Sequence, residues 1–173
     1  MIEMNIGQDI NPKWSDISLE IADEAALSDI GDRLTNVLLA GDVLALSGEL
    51  GAGKTSLART IVRKFLVNPD LEVPSPTFSL VQQYQNPKSA IGEIWHVDFY
   101  RLVSPLELWE LGLEEAFGHH LLIIEWAERF ADHLPENTLW IILEAGKDTN
   151  SRKITFRGEN WNGRLKGTGI HSL

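Results

Sequence analysis

Apolar and polar positions along this chain follow two periods, and their alternation predicts short strands separated by amphipathic helices. Ile17 to Ile21 reads Ile-Ser-Leu-Glu-Ile, a period of two that predicts a strand with one buried face. Asp23 then offers an N-cap to a helix whose Ala26, Leu27, Ile30, Leu34, Val37 and Leu38 keep a 3.6-residue period, closing at Ala40-Gly41. Asp42 to Ser47 is mostly apolar and predicts a buried strand. Ser56 to Leu66 returns to helical spacing and ends near Asn68-Pro69.

Beyond that helix, Val73-Pro74-Ser75-Pro76-Thr77-Phe78 is held extended by its prolines and predicts a loop of defined shape. Phe78 to Tyr84 and Ile91 to Asp98 predict two strands joined as an antiparallel hairpin by a short polar connection. Pro105 starts a helix that breaks at Gly112, and a further turn covers Leu113 to Phe117. Leu121-Leu122-Ile123-Ile124, four large apolar residues in a row, predicts a central strand buried on both faces and ending on Glu125. A helix from Ala127 to Leu134 and strands at Leu139 to Leu143 and Lys153 to Phe156 complete the order. The expected fold is a three-layer α/β sandwich with a mainly parallel sheet and an antiparallel hairpin at one side.

The residues between the second strand and second helix carry the chemistry. Gly48-Glu49-Leu50-Gly51-Ala52-Gly53-Lys54-Thr55 fits the phosphate-binding pattern G-x-x-x-x-G-K-[ST], in its required place between strand and helix. Glycines let successive backbone N–H groups converge on an anion, Lys54 is placed to reach the outer phosphates, and the Thr55 hydroxyl to ligate magnesium. Such a site needs an acid at the end of a neighbouring strand to hold the metal or orient an attacking water. Asp98 and Glu125 compete for that post. Both fall beside the P-loop if ligands lie at the C-terminal strand ends. Thr77 is a candidate sensor of the outer phosphate and its magnesium, with a proline-stiffened turn as the plainer alternative. His96 reads as a packed or hydrogen-bonded strand histidine, Trp126 as core or contact surface, and Arg101 and Arg152 as surface ion-pair residues or phosphate contacts. The guanine-reading Asn-Lys-x-Asp pattern is absent, which points to ATP.

Composition narrows the setting. At 173 residues the chain is one ordinary domain, and without cysteine it has neither disulfides nor thiol chemistry. Residues 1–159 form the expected domain, and 160–173 a solvated or disordered tail. The N-terminal residues lack a basic region followed by an apolar run, and no stretch approaches the roughly 18 apolar residues of a membrane span, so the expected setting is cytosolic. A net charge of −10 disfavours sequence-independent capture of nucleic acid. Charge is uneven, however: Arg152, Lys153, Arg157, Arg164 and Lys166 cluster near the C-terminus beside the single acid Glu159.

Five blocks now stand in order: the octapeptide at 48–55, Ser75-Pro76-Thr77-Phe78, His96-Val97-Asp98-Phe99-Tyr100-Arg101-Leu102, Leu106 to Leu113, and Ile124-Glu125-Trp126. Together they resemble the TsaE (YjeE) family of small bacterial P-loop ATPases, over residues 19 to 157. The resemblance implies a cytoplasmic ATPase that uses ATP and Mg2+. It is required to form threonylcarbamoyladenosine at position 37 of transfer RNAs reading codons that begin with A, and it acts on a complex of TsaD-like and TsaB-like proteins. Residue by residue, it implies that Lys54 and Thr55 hold phosphate and magnesium, that Glu125 ligates magnesium, and that Asp98 supports the metal or the attacking water. It also implies that Glu49, Leu50, Gly51, Ala52, Gly53 and Ser56 line the phosphates, that Thr77 lies in a switch-like loop, that Arg152 sits near the nucleotide, and that Asp23 and Glu24 approach the base. Ser56 stands where the family often has threonine, and 160–173 has no counterpart.

Two other functions fit a P-loop: a small-molecule kinase and a nucleotide-dependent adaptor without hydrolysis. Kinases usually close an arginine-bearing lid over the phosphates. Between Asp98 and Leu121 this chain has only Arg101 and is otherwise acidic and apolar, which looks more like a docking surface.

Overall fold

The computed structural model describes residues 16–148 and 150–170. The N-terminal stretch on which the expectation of a cytosolic setting partly rests lies outside the described residues. Seven described strands form one mixed sheet: β1 (Ile17–Ile21), β2 (Val43–Ser47), β3 (Val81–Asn86), β4 (Gly92–Asp98), β5 (Leu121–Glu125), β6 (Leu139–Ala145) and β7 (Arg152–Arg157). Their spatial order is β1-β7-β6-β2-β5-β4-β3. The four central strands β6, β2, β5 and β4 run parallel. β3 closes one side antiparallel to β4, as expected, and β7 and β1 add a second antiparallel flank at the other edge.

Alternation along the central strands divides the core into two layers. Leu44, Leu46, Leu121 and Ile123 face the layer that contains α1 (Glu24–Thr35) and α2 (Lys54–Leu66). Val43, Ala45, Leu122 and Ile124 face the other, built from α3 (Leu106–Glu110), α4 (Leu113–Ala116) and a 3-10 helix at Ala127–His133. Both faces of β2 and β5 are therefore covered, and covered parallel strands read as unbroken apolar runs. α1 begins where the sequence placed it, with Asp23 accepting a hydrogen bond from the Ala26 amide at 2.9 Å.

Three expectations change. The first helix ends at Thr35 and not at Ala40-Gly41, because the Asn36 amide turns back to the Arg33 and Leu34 carbonyls. The strand predicted from Phe78 starts only at Val81, because the Leu80 amide bonds to the Pro76 carbonyl and Leu80 takes a left-handed φ of 64°. Phe78 stands in the resulting turn, 87% exposed. The segment from 160 is not a solvated tail over its described length. α5 (Trp161–Lys166) buries Trp161 and Leu165, and Ile170 follows them into the α1/α2 layer. Arg164 pairs with buried Asp42, bonds to the Val37 carbonyl and stacks on Trp161. One member of the basic C-terminal cluster is thus an internal clamp.

Candidate functional site

The parallel registers bring the candidate residues to one end of the sheet. Asp98 and Glu125 close β4 and β5 opposite each other, and Leu46 of β2 lies level with Glu125, so the P-loop begins directly beside the two acids. Gly48 must be glycine here: at φ 141° a Cβ would sit 2.3 Å from the Leu143 carbonyl oxygen. Gly53, at φ 110°, starts α2 where a Cβ would press on Leu27.

Lys54 and Thr55 form the first turn of α2. Thr55 Oγ1 lies 2.9 Å from each oxygen of Glu125, joining the helix start to the strand-end acid. Glu125 is buried and also receives His96 Nε2 at 2.8 Å on Oε1. Lys54 is buried too, its Nζ donating to the Gly48 and Glu49 carbonyls at 2.7 and 2.8 Å and lying 3.9 Å from the centre of the Trp126 ring. Burial pushes its ammonium below the ordinary lysine range, against the opposing pull of Glu125, Glu128 and Asp98.

Asp98 is engaged differently. Its Oδ2 accepts from Thr77 Oγ1 at 2.7 Å and Ser75 Oγ at 3.2 Å, while Oδ1 accepts from the Tyr100 amide at 2.7 Å. It therefore ties the proline loop to the end of β4. That loop has the defined shape its prolines predicted, because Arg59 and Arg63 of α2 donate to the carbonyls of Val73 and Leu71.

The other candidates frame the P-loop. Arg152 Nε donates to the Ala52 carbonyl at 2.9 Å and props the loop from β7. Ser56 Oγ donates to Glu24 Oε1 at 2.9 Å, so Glu24 joins the starts of α1 and α2, whereas Asp23 is occupied in capping. Leu50 projects into solvent. A cavity of about 740 Å³ opens on the β6–β7 side of the loop, lined by Glu49, Leu50, Ala52, Glu144, Lys147 and Arg152 among others. The Arg101 guanidinium lies over the exposed Phe78 ring, 5.2 Å from its centre.

Three contributors had no role assigned from the sequence, although Ser75 and Tyr100 stand in its motif blocks. Glu128 lies in the first turn after β5 with its Oε2 buried and without a hydrogen-bond partner among the described residues, and burial raises its carboxyl above the ordinary glutamate range despite Ser47, Lys54 and Arg129. Its offset of three from Glu125 is the signal that could have found it. Ser75 shares Asp98 with Thr77, and Tyr100 packs its ring 4.9 Å from Trp126. Trp126 itself holds a left-handed φ of 56°, which turns its ring back over Lys54.

A glycine phosphate loop leading into a helix, beside strand-end acids on a parallel sheet covered on both faces, defines a P-loop NTPase fold. The crystal structure of Bacillus subtilis YdiB shares that fold, with a TM-score of 0.73 over 92% of this chain and 98% of that one at 24% identity. The family profile of the threonylcarbamoyl adenosine biosynthesis protein TsaE matches residues 21–154, and the chain belongs to the TsaE family. Among proteins named tRNA threonylcarbamoyladenosine biosynthesis protein TsaE, it is 39% identical to that of Rickettsia prowazekii over 69% of this chain and 80% of the relative. It is 35% identical to that of Bacillus subtilis over 67% and 69%. For Mycobacterium tuberculosis the identity is 36%, over 73% and 78%. No helix among the described residues is long and apolar enough to cross a membrane.

Proposed function

We propose that this protein binds ATP with Mg2+ at the P-loop and hydrolyses it slowly, driving a change in a complex of TsaD-like and TsaB-like proteins that forms threonylcarbamoyladenosine on transfer RNA in the cytoplasm. The observation that carries this reading is the contact of Thr55 with Glu125. It sets a hydroxyl and a carboxylate side by side at the start of α2, next to the phosphate loop. Hard oxygen donors of this kind suit magnesium. The ion, when bound, would be held by Thr55 and Glu125 with Asp98 in support, and would offset charge on the phosphates.

The remaining work falls to the chain. Lys54 exchanges the carbonyls of Gly48 and Glu49 for phosphate oxygens, the P-loop amides supply further donors, and Trp126 shields the lysine from water. The cavity between the P-loop and β6–β7 accommodates the nucleoside, with Arg152 fixing the loop it abuts and Glu24 holding Ser56 in the helix that follows. Thr77, hydrogen-bonded to Asp98, couples the proline loop to the occupancy of the site.

Arg101, over the Phe78 ring, is the single arginine between Asp98 and Leu121, which disfavours the arginine-bearing lid of a kinase. The test is ATP turnover measured alone and with the TsaD–TsaB pair. We expect slow turnover that rises with the partners and falls by about 100-fold or more in Lys54→Ala. Full activity in that variant would sink the mechanism, and turnover that requires a small phosphate acceptor would indicate the kinase.

A further inference from the structure

His96 occupies a place that core packing does not explain. It lies inside β4 between strands β3 and β5, with no exposed surface, where its strand neighbours Ile94 and Val97 are buried and apolar. An imidazole there surrenders two hydrogen-bonding nitrogens to a dry interior, and its Nδ1 has no partner among the described residues. A leucine would fill the space without that cost. The nitrogen that does find a partner is Nε2, 2.8 Å from Glu125 Oε1. A carboxylate only accepts, so the imidazole hydrogen stands on Nε2.

What this bond adds follows from the other contacts of Glu125. Thr55 Oγ1 is equidistant from the two carboxylate oxygens, so it does not fix which oxygen faces which way. The Lys54 ammonium attracts Glu125 as it attracts Glu128 and Asp98, and a carboxylate free to rotate could swing toward it. The His96 bond breaks that symmetry. It pins Oε1 from inside the sheet and holds the carboxylate on the Thr55 hydroxyl.

We infer that His96 is a positioning residue: through Nε2 it orients Glu125 beside Thr55 and so sets the affinity of the P-loop for a divalent cation with its nucleotide. The inference rests on the Mg2+–ATP site proposed above. Partners that orient a metal-binding side chain are worth roughly 10- to 100-fold in metal affinity when removed.

The test compares three substitutions. In His96→Gln the side-chain amide nitrogen can reach the position of Nε2, in His96→Asn it stops at the level of Nδ1, and His96→Leu has no donor. ATP binding is measured by calorimetry across a magnesium titration and in EDTA, with thermal denaturation of each protein alongside. We expect His96→Asn and His96→Leu to need roughly tenfold more magnesium for half-maximal ATP binding, with metal-free ATP affinity unchanged and His96→Gln within about twofold of the parent.

A merely structural role would order the variants by melting temperature instead, and would weaken binding with and without magnesium alike; either result overturns the inference. If His96→Leu does not fold, the Gln and Asn pair still decides, because the two share chemistry and differ in reach. Parent protein whose ATP binding ignores magnesium would overturn the proposed site itself, a result separable from equal magnesium requirements in parent and variants.

Discussion

Glu125 concentrates the chemistry of the site in one buried carboxylate, held by Thr55 from α2 and by His96 from β4. Glu125→Gln keeps an acceptor for both while removing the charge. We expect magnesium-dependent ATP affinity to fall about tenfold, with a melting temperature within about 3 °C of the parent. A collapse in stability would instead make the residue structural. Glu128 yields a prediction about pH. Burial raises its folded-state pKa, so the native protein binds more protons than the unfolded chain between the ordinary glutamate value and that raised value. Its contribution to stability therefore falls as pH rises through that window. Glu128→Gln should raise the melting temperature by about 1–2 °C at pH 8, and the difference should vanish below about pH 4, where both forms are neutral; chemical or thermal denaturation across pH reads this out.

At the scale of elements, the P-loop works because its glycines are not equivalent. A Cβ at Gly48 meets the backbone of β6, which cannot give way, whereas Gly51 opens into free space at φ 81°. Gly51→Ala should cost about 1–2 kcal/mol from its left-handed backbone alone, and Gly48→Ala clearly more, compared by urea denaturation. The elements themselves were largely legible in sequence. β5 was read from four successive apolar residues because a strand covered on both faces has no polar side to show. The start of β3 was not, since Phe78 has a strand-forming side chain and only the turn closed by Leu80 and Pro76 removes it from the sheet. A local propensity was overruled by a hydrogen bond that no pattern of side chains announces.

Across the whole molecule, the C-terminal segment completes the core. Trp161, Leu165 and Ile170 seal the α1/α2 layer, and Arg164 neutralises Asp42 at the start of β2. Ending the chain at Glu159 should cost several kcal/mol, since each large side chain contributes roughly 1.5–3 kcal/mol and Asp42 would lose its partner. We expect a melting temperature lower by more than about 10 °C, or insoluble protein; a truncated chain as stable as the parent would make the segment dispensable.

By itself the sequence determined the strand and helix order, the phosphate loop and the candidate acids, because periodicity and glycine spacing are local and written directly in residue order. Only the tertiary structure decided how those residues divide the work. Thr55 and His96 meet on Glu125, Thr77 and Ser75 meet on Asp98, and Glu128 faces Lys54, since these pairings join strands and loops far apart in the chain. It also turned a basic C-terminal stretch into part of the core, because burial depends on which face a helix finds once the sheet has formed.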